Sequence, residues 1–131
     1  MEEKNMERAV RDVLRKMRAS SMMNLKLATA LMERVEAEAA RMGVNAVVAV
    51  SDAAGRPVAV HCMDGAYIWS YDVALNKTYT SVAFQMPTAE LAKLAAPGGS
   101  LYGIQNTNEG KIVIFGGGEP LYVDGVMIGA I

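Results

Sequence analysis

The chain has 131 residues, enough for one domain, and a chain of this size buries roughly two-thirds of its unfolded surface. It is 52% hydrophobic and 21% charged, yet Gly, Ser, Asn or Pro interrupts every long uncharged stretch, so no segment reads as a membrane span. A formal net charge of −1 excludes nucleic acid as the main partner, and a single Cys cannot close an internal disulfide, which fits a reducing cytoplasm.

Residues 1–18 are the most charged part of the chain and show no secretory leader. Met6, Val10, Val13, Leu14 and Met17 fall on one face of a helix. Glu7 with Arg11, and Asp12 with Lys16, are opposite-charge pairs four apart. Ala19 to Ser21 breaks the pattern, so residues 19–23 are expected to be a linker. The apolar stripe either packs on its own domain or docks in a groove on another protein. Asn24 is the expected N-cap of a second helix, and Gly43 ends it. Leu27, Leu31, Val35, Ala39 and Met42 form its expected buried stripe, with Glu33, Arg34, Glu36 and Arg41 toward water.

Val44 to Val50 reads as a strand, Ser51 to Arg56 as a turn built on Asp52 and Gly55, and Val58 to Met63 as the returning strand, which Pro57 can only begin. Asp64-Gly65-Ala66 turns the chain out of the sheet. Ser70 or Asp72 opens a third helix to Phe84, and Pro87 separates it from a short fourth, Ala89 to Ala95. Loops at 97–100 and 105–108 precede three expected strands: Lys111 to Phe115, Leu121 to Val123 and Val126 to Ile131. Asp124-Gly125 marks a hairpin with a two-residue turn. Ending inside an apolar strand at Ile131 suggests that residues are missing. Grouped helices between hairpin-joined strands predict an α+β fold: a five-stranded antiparallel sheet flanked by helices in α/β/α layers.

The only His, Cys and Trp of the chain, His61, Cys62 and Trp69, fall together. His61 can ligate a metal, move protons or sit buried in hydrogen bonds. No HxxxH, HExxH or CxxC pattern is present, nor any phosphate-loop or dinucleotide fingerprint, and no catalytic residue is assigned. Lys77 sits in an otherwise uncharged run, where it snorkels to water or meets an anionic ligand. Tyr67, Trp69, Tyr71 and Tyr79 suit a flat apolar ligand or a core. Gly116-Gly117-Gly118 permits a sharp bend or the close approach of a ligand. An apolar slot with cations and an axial ligand from His, Cys, Met or Tyr is compatible with heme.

The runs VVAVSDAAGRPVAV, MDGA, ALNKTYTSVAFQMPT and GGGEPLYVDGVMIGAI resemble, in order and spacing, the HbpS/GlcG family, which includes the C-terminal domain of PduO. The resemblance covers residues 24–131. It implies the five-stranded profilin-like sheet, homo-oligomers from dimer to octamer, and heme or tetrapyrrole binding. Carried onto matching positions, the pocket would comprise Asp64, Gly65, Lys77, Thr80, Pro87, Thr88, Gly117, Gly118 and Pro120. Cys62 stands where the family commonly has Arg, which removes a cation, and the family's closing G-V-S-G-G is absent. Residues 1–18 are similar to the short helices that carry proteins into bacterial microcompartments, which implies a shell or cargo partner bound through residues 6–17. The expectation is a non-catalytic, oligomeric, cytoplasmic heme binder in a microcompartment lumen. Its axial ligand is sought first at His61, then Cys62, then Met22 or Met23. The alternatives are an enzyme or small carboxylate or aldehyde binder using Lys77 and Asp64, and an assembly protein without ligand.

Overall fold

The computed structural model describes residues 2–131, with side chains throughout except at 14–21. Leu14 and Met17 of the expected stripe, and Lys16 of the expected ion pair, lie outside the described side chains. Helix α1 spans Glu2–Ser21. It therefore continues through the expected break at Ala19 to Ser21, because each of the two adjacent serines costs a helix less than about 0.7 kcal/mol. The chain leaves the helix only at Met22 to Asn24. Met6, Val10 and Val13 lie exposed along α1.

Asn24 starts α2, Leu25–Arg41, by accepting the Leu27 N–H at 2.8 Å, and Gly43 follows the helix at φ 70°. The buried positions of α2 are Ala28, Met32 and Ala39. Leu27 and Leu31 pack beside them. Val35 and Met42, expected in the buried stripe, are exposed. Val35 instead borders a cavity.

Strands β1, Val47–Asp52, and β2, Pro57–Cys62, form the first hairpin, with Val48 opposite His61. Asp52 Oδ1 accepts the N–H groups of Ala54 and Arg56, both at 3.0 Å, which ties the turn. Helix α3 is Ser70–Phe84 and α4 is Thr88–Ala95. Two short 3-10 turns, Ile104–Asn106 and Asn108–Gly110, occupy the following loop. Strands β3, Pro120–Val123, and β4, Val126–Ala130, close the second hairpin. Its Asp124 and Gly125 sit at φ 50° and 79°, as a two-residue primed turn requires.

The sheet has four antiparallel strands in the order β2-β1-β4-β3, one fewer than expected. Residues 111–115 are not a strand. Their backbone is held by a helix side chain: Thr80 Oγ1 accepts the Val113 N–H at 3.0 Å and lies 3.3 Å from the Lys111 carbonyl. A hydroxyl on α3 thus occupies the hydrogen-bonding positions that a neighbouring strand would use.

Helix α2 lies over β1 and β2, and α3 over β1 and β4. Val48 and Val50 join Met23, Ala28, Met32 and Ile128 in the core on the α2 side. Ala49 and Ser51, which alternate with them, are buried too and by the pleat face α3. Strand β4 meets β1 over two rungs only, Ser51 opposite Ala130 and Asp52 opposite Gly129. A Cβ at Gly129 would stand 2.0 Å from the Ser51 carbonyl oxygen, so the crossing requires glycine.

Candidate functional site

Where β4 stops accompanying β1, a cavity of about 720 Å³ opens between β1 and α3. Its floor is the backbone run Val44 to Ala49, its far wall is Val73, Ala74 and Lys77 of α3, and Tyr67 and Trp69 stand at one side. Gly65, Gly117, Glu119 and Ile131 are also in the lining, with Val35, Gly43 and Ser70 at its edges. The volume falls within the range of about 300–1,000 Å³ usual for small-molecule sites.

Lys77 is the one lysine or arginine of this lining. Burial pushes the pKa of its ammonium below the ordinary lysine value, because taking a charge out of water favours the neutral form. Its Nζ lies 4.4 Å from the centre of the Phe115 ring, a cation–π contact that partly replaces lost water. Among the described residues no carboxylate stands within ion-pair distance of it. The cavity therefore offers a partly desolvated cation to any anionic group that enters.

The triglycine loop is placed by this arrangement. A Cβ on Gly117, at φ 128°, would meet Lys77 Nζ at 2.8 Å. One on Gly118 would meet Ser81 Oγ and Thr88 Cγ2 at 2.8 Å. Thr88 clamps the loop from both sides, its N–H donating to the Gly118 carbonyl at 3.0 Å and its Oγ1 accepting the Gly118 N–H at 2.9 Å. Thr80 is likewise engaged, donating to the Asn76 carbonyl at 2.7 Å while it holds Val113.

The expected site residues thus separate into three groups. Gly65, Lys77 and Gly117 line the cavity. Thr80, Thr88 and Gly118 are buried framework behind it, while Pro87 precedes α4 and Pro120 begins β3. His61, Cys62 and Asp64 line an adjoining concavity of about 680 Å³ together with Glu36. Asn45 belongs to both linings. Asp64 and Lys77 share neither, so the facing pair required by a carboxylate or aldehyde site is not formed. Met23 is in the core, where its sulfur is committed to packing, and this removes it from the candidate ligands. Met22 is exposed. Tyr79 also leaves the site, because its hydroxyl accepts from Asn108 Nδ2 at 2.9 Å.

One residue of the concavity was placed elsewhere by sequence reasoning. Glu36, expected to face water, is half-buried and its Oε1 lies 2.5 Å from His61 Nδ1. The signal was present only in the topology: Glu36 is on the helix that covers β2, while the carboxylate near His61 in sequence, Asp64, sits in the turn after the strand has ended.

A family model described as haem degrading protein HbpS-like matches residues 23–131. The chain is 41% identical over 107 residues to an uncharacterized 15.0 kDa protein from the dhaT-dhaS intergenic region of Citrobacter freundii, covering 82% of this chain and 75% of that one. It is 37% identical over 106 residues to the corrinoid adenosyltransferase PduO of Salmonella typhimurium, covering 81% of this chain but only 30% of PduO. Among solved structures, the PduOC:heme complex superposes with a TM-score of 0.80 at 33% identity, over 83% of this chain and 79% of that one. Fold, motif order and whole-domain match agree: the chain belongs to the HbpS-like family, as a domain of the PduO C-terminal type.

Proposed function

We propose that this protein binds heme or a related tetrapyrrole in the cavity between β1 and α3. The observation that carries the reading is the cavity itself, apolar along β1, aromatic at Tyr67 and Trp69, with one partly desolvated cation at Lys77. A porphyrin presents an apolar plane and carboxylates, and the residues present fit that chemistry. The chain's similarity to a domain solved as a heme complex supports the same ligand. Lys77 would pair with a propionate, and the β1 backbone and the aromatic side would exclude water; His61 is not in this lining, and as an iron ligand it would have to reach in from the adjoining concavity past Asn45, which borders both. Exposed Cys62 is the second candidate ligand and Met22 the third. Bound heme supplies an iron centre whose properties the axial ligand tunes.

Titration of hemin into purified protein, followed in the Soret region, tests the reading. The expected result is saturable binding with a Soret band that shifts in His61→Ala. A wild-type titration that does not saturate would overturn heme binding, and an identical spectrum in the variant would remove His61 from the iron.

The finer part of the proposal is a non-catalytic homo-oligomer accessory to a bacterial microcompartment. Tyr67, Ile68 and Trp69 are all exposed beside the cavity, Ile68 by 95%, a patch that favours burial against another copy. The exposed row Met6, Val10 and Val13 on α1 suits docking on a shell or cargo protein. Light scattering that gave a monomer mass at micromolar concentration would reject the oligomer. Diffuse fluorescence of a full-length fusion in shell-producing cells would reject the docking.

A further inference from the structure

The ammonium of Lys77 is held in place without being used up. Its Nζ lies 4.4 Å from the centre of the Phe115 ring and close to Gly117, where an added Cβ would stand 2.8 Å from it. Gly117 borders the cavity and Phe115 does not, so a ring outside the lining holds the cation at the cavity's edge. Among the described residues no oxygen accepts a hydrogen bond from Nζ. Glu119, the one carboxylate side chain of the lining, forms no ion pair with it. An aromatic face attracts a cation through its quadrupole and occupies none of its N–H donors, whereas a carboxylate in that position would take both charge and donors. Without such a hold, a lysine stem carries its head out to water. The Phe115 side chain is exposed, yet its backbone is anchored on both sides. Thr80 Oγ1 accepts the Val113 N–H at 3.0 Å, and Thr88 Oγ1 accepts the Gly118 N–H at 2.9 Å. Thr80 stands on the same helix as Lys77, which fixes the ring relative to the ammonium.

We propose that Phe115 is the positioning residue for Lys77: its ring holds the ammonium against Gly117, with charge and donors free, for a carboxylate that enters the cavity. The inference rests on the heme reading for the identity of that carboxylate, a porphyrin side chain, and on geometry alone for the hold. Gly117 belongs to the same device, since a side chain there would collide with Nζ. Phe115 thereby acts on the charged edge of the ligand and leaves recognition of the flat apolar ring to β1, Tyr67 and Trp69.

The test compares two iron-free probes, protoporphyrin IX and its dimethyl ester, which share the ring and differ in the carboxylates. Binding is followed by quenching of Trp69, the chain's single tryptophan and part of the cavity lining. Wild type should prefer the free acid, and Phe115→Leu should weaken the acid by about 2–5-fold, the worth of a partly exposed cation–π contact, with the ester unchanged. Lys77→Met should abolish the preference, and adding Phe115→Leu to it should change nothing further, since coupled residues are non-additive. Phe115→Tyr, which keeps the aromatic face, should restore the acid. In NMR spectra of the ligand-free protein, the Lys77 ε-methylene protons, identified by their loss in Lys77→Met, should be shifted upfield by the ring. That shift should vanish in Phe115→Leu and persist in Phe115→Tyr. A thermal melt of each variant establishes that it is folded. An absent upfield shift in wild type, or equal weakening of acid and ester in Phe115→Leu, would overturn this inference while leaving porphyrin binding intact. Failure of both probes to saturate the wild-type protein would instead overturn the heme reading, and this inference with it.

Discussion

At the residue scale the informative side chain is Lys77. Its pKa is depressed by burial, so at pH values between the folded and unfolded pKa the unfolded chain holds more protons than the native one. Stability then rises with pH through that window, and the penalty is fully present below it. Lys77→Met removes the penalty while keeping the aliphatic stem. The heme-free variant is expected to be at least as stable as wild type near neutral pH, and to lose the alkaline rise in urea midpoint. It should bind hemin more weakly, since a propionate loses its only cation in the lining. A variant that is less stable at neutral pH and binds hemin unchanged would contradict the role given to the ammonium. The isolated Lys77 was legible in the sequence because a lone charge in an uncharged helix demands either water or a partner. Which of the two it has depended on an empty volume, and no residue pattern encodes that directly.

At the element scale, α3 is unusual in burying hydroxyls rather than hydrocarbon: Thr78, Thr80 and Ser81 are its buried residues. Thr80 carries the most weight, because the 111–115 segment hangs on its oxygen. Thr80→Val keeps the shape and strands the Val113 N–H, at a cost of about 1–3 kcal/mol, measurable as a lowered denaturation midpoint. A loss below 0.5 kcal/mol, roughly the size of an ordinary surface change, would mean that the segment is held otherwise. The same residue explains the missing strand. Lys111 to Phe115 has the apolar content of a strand, and periodicity alone cannot tell backbone paired with a sheet from backbone paired with a side chain. The hairpins, by contrast, were readable because their turns depend on local chemistry, with Asp52 and Gly55 in one and Asp124 and Gly125 in the other. Glu36 was misplaced for the opposite reason, since its partner lies 25 positions away.

At the scale of the whole molecule, the domain divides its two helical layers between different tasks. The α2 side is a packed apolar core around Met32 and Val50, whereas the α3 side leaves room beneath the helix at the unaccompanied half of β1. Motif order identified the family and hence the α+β architecture. It could not divide the motif positions between lining and framework, because Thr88 and Gly118 in the sequence look no different from Lys77 and Gly117. The separation follows from whether a side chain's polar atom is already spent on the loop, as Thr88 Oγ1 is.

The short meeting of β1 and β4 makes the site observable without any chromophore. The Met63 N–H bonds to the Ala46 carbonyl at 2.9 Å, and antiparallel alternation then turns the amides of Val47 and Ala49 away from β2, toward the side where β4 reaches only as far as Ser51. Those two amides should trade their protons for deuterium within minutes while Val48 and Val50, between them, stay protected. Anything seated against the bare strand would slow the pair together, so a deuterium map could report occupancy for colourless molecules as readily as for heme. Equal protection of all four amides in the ligand-free protein would show that this flank is closed.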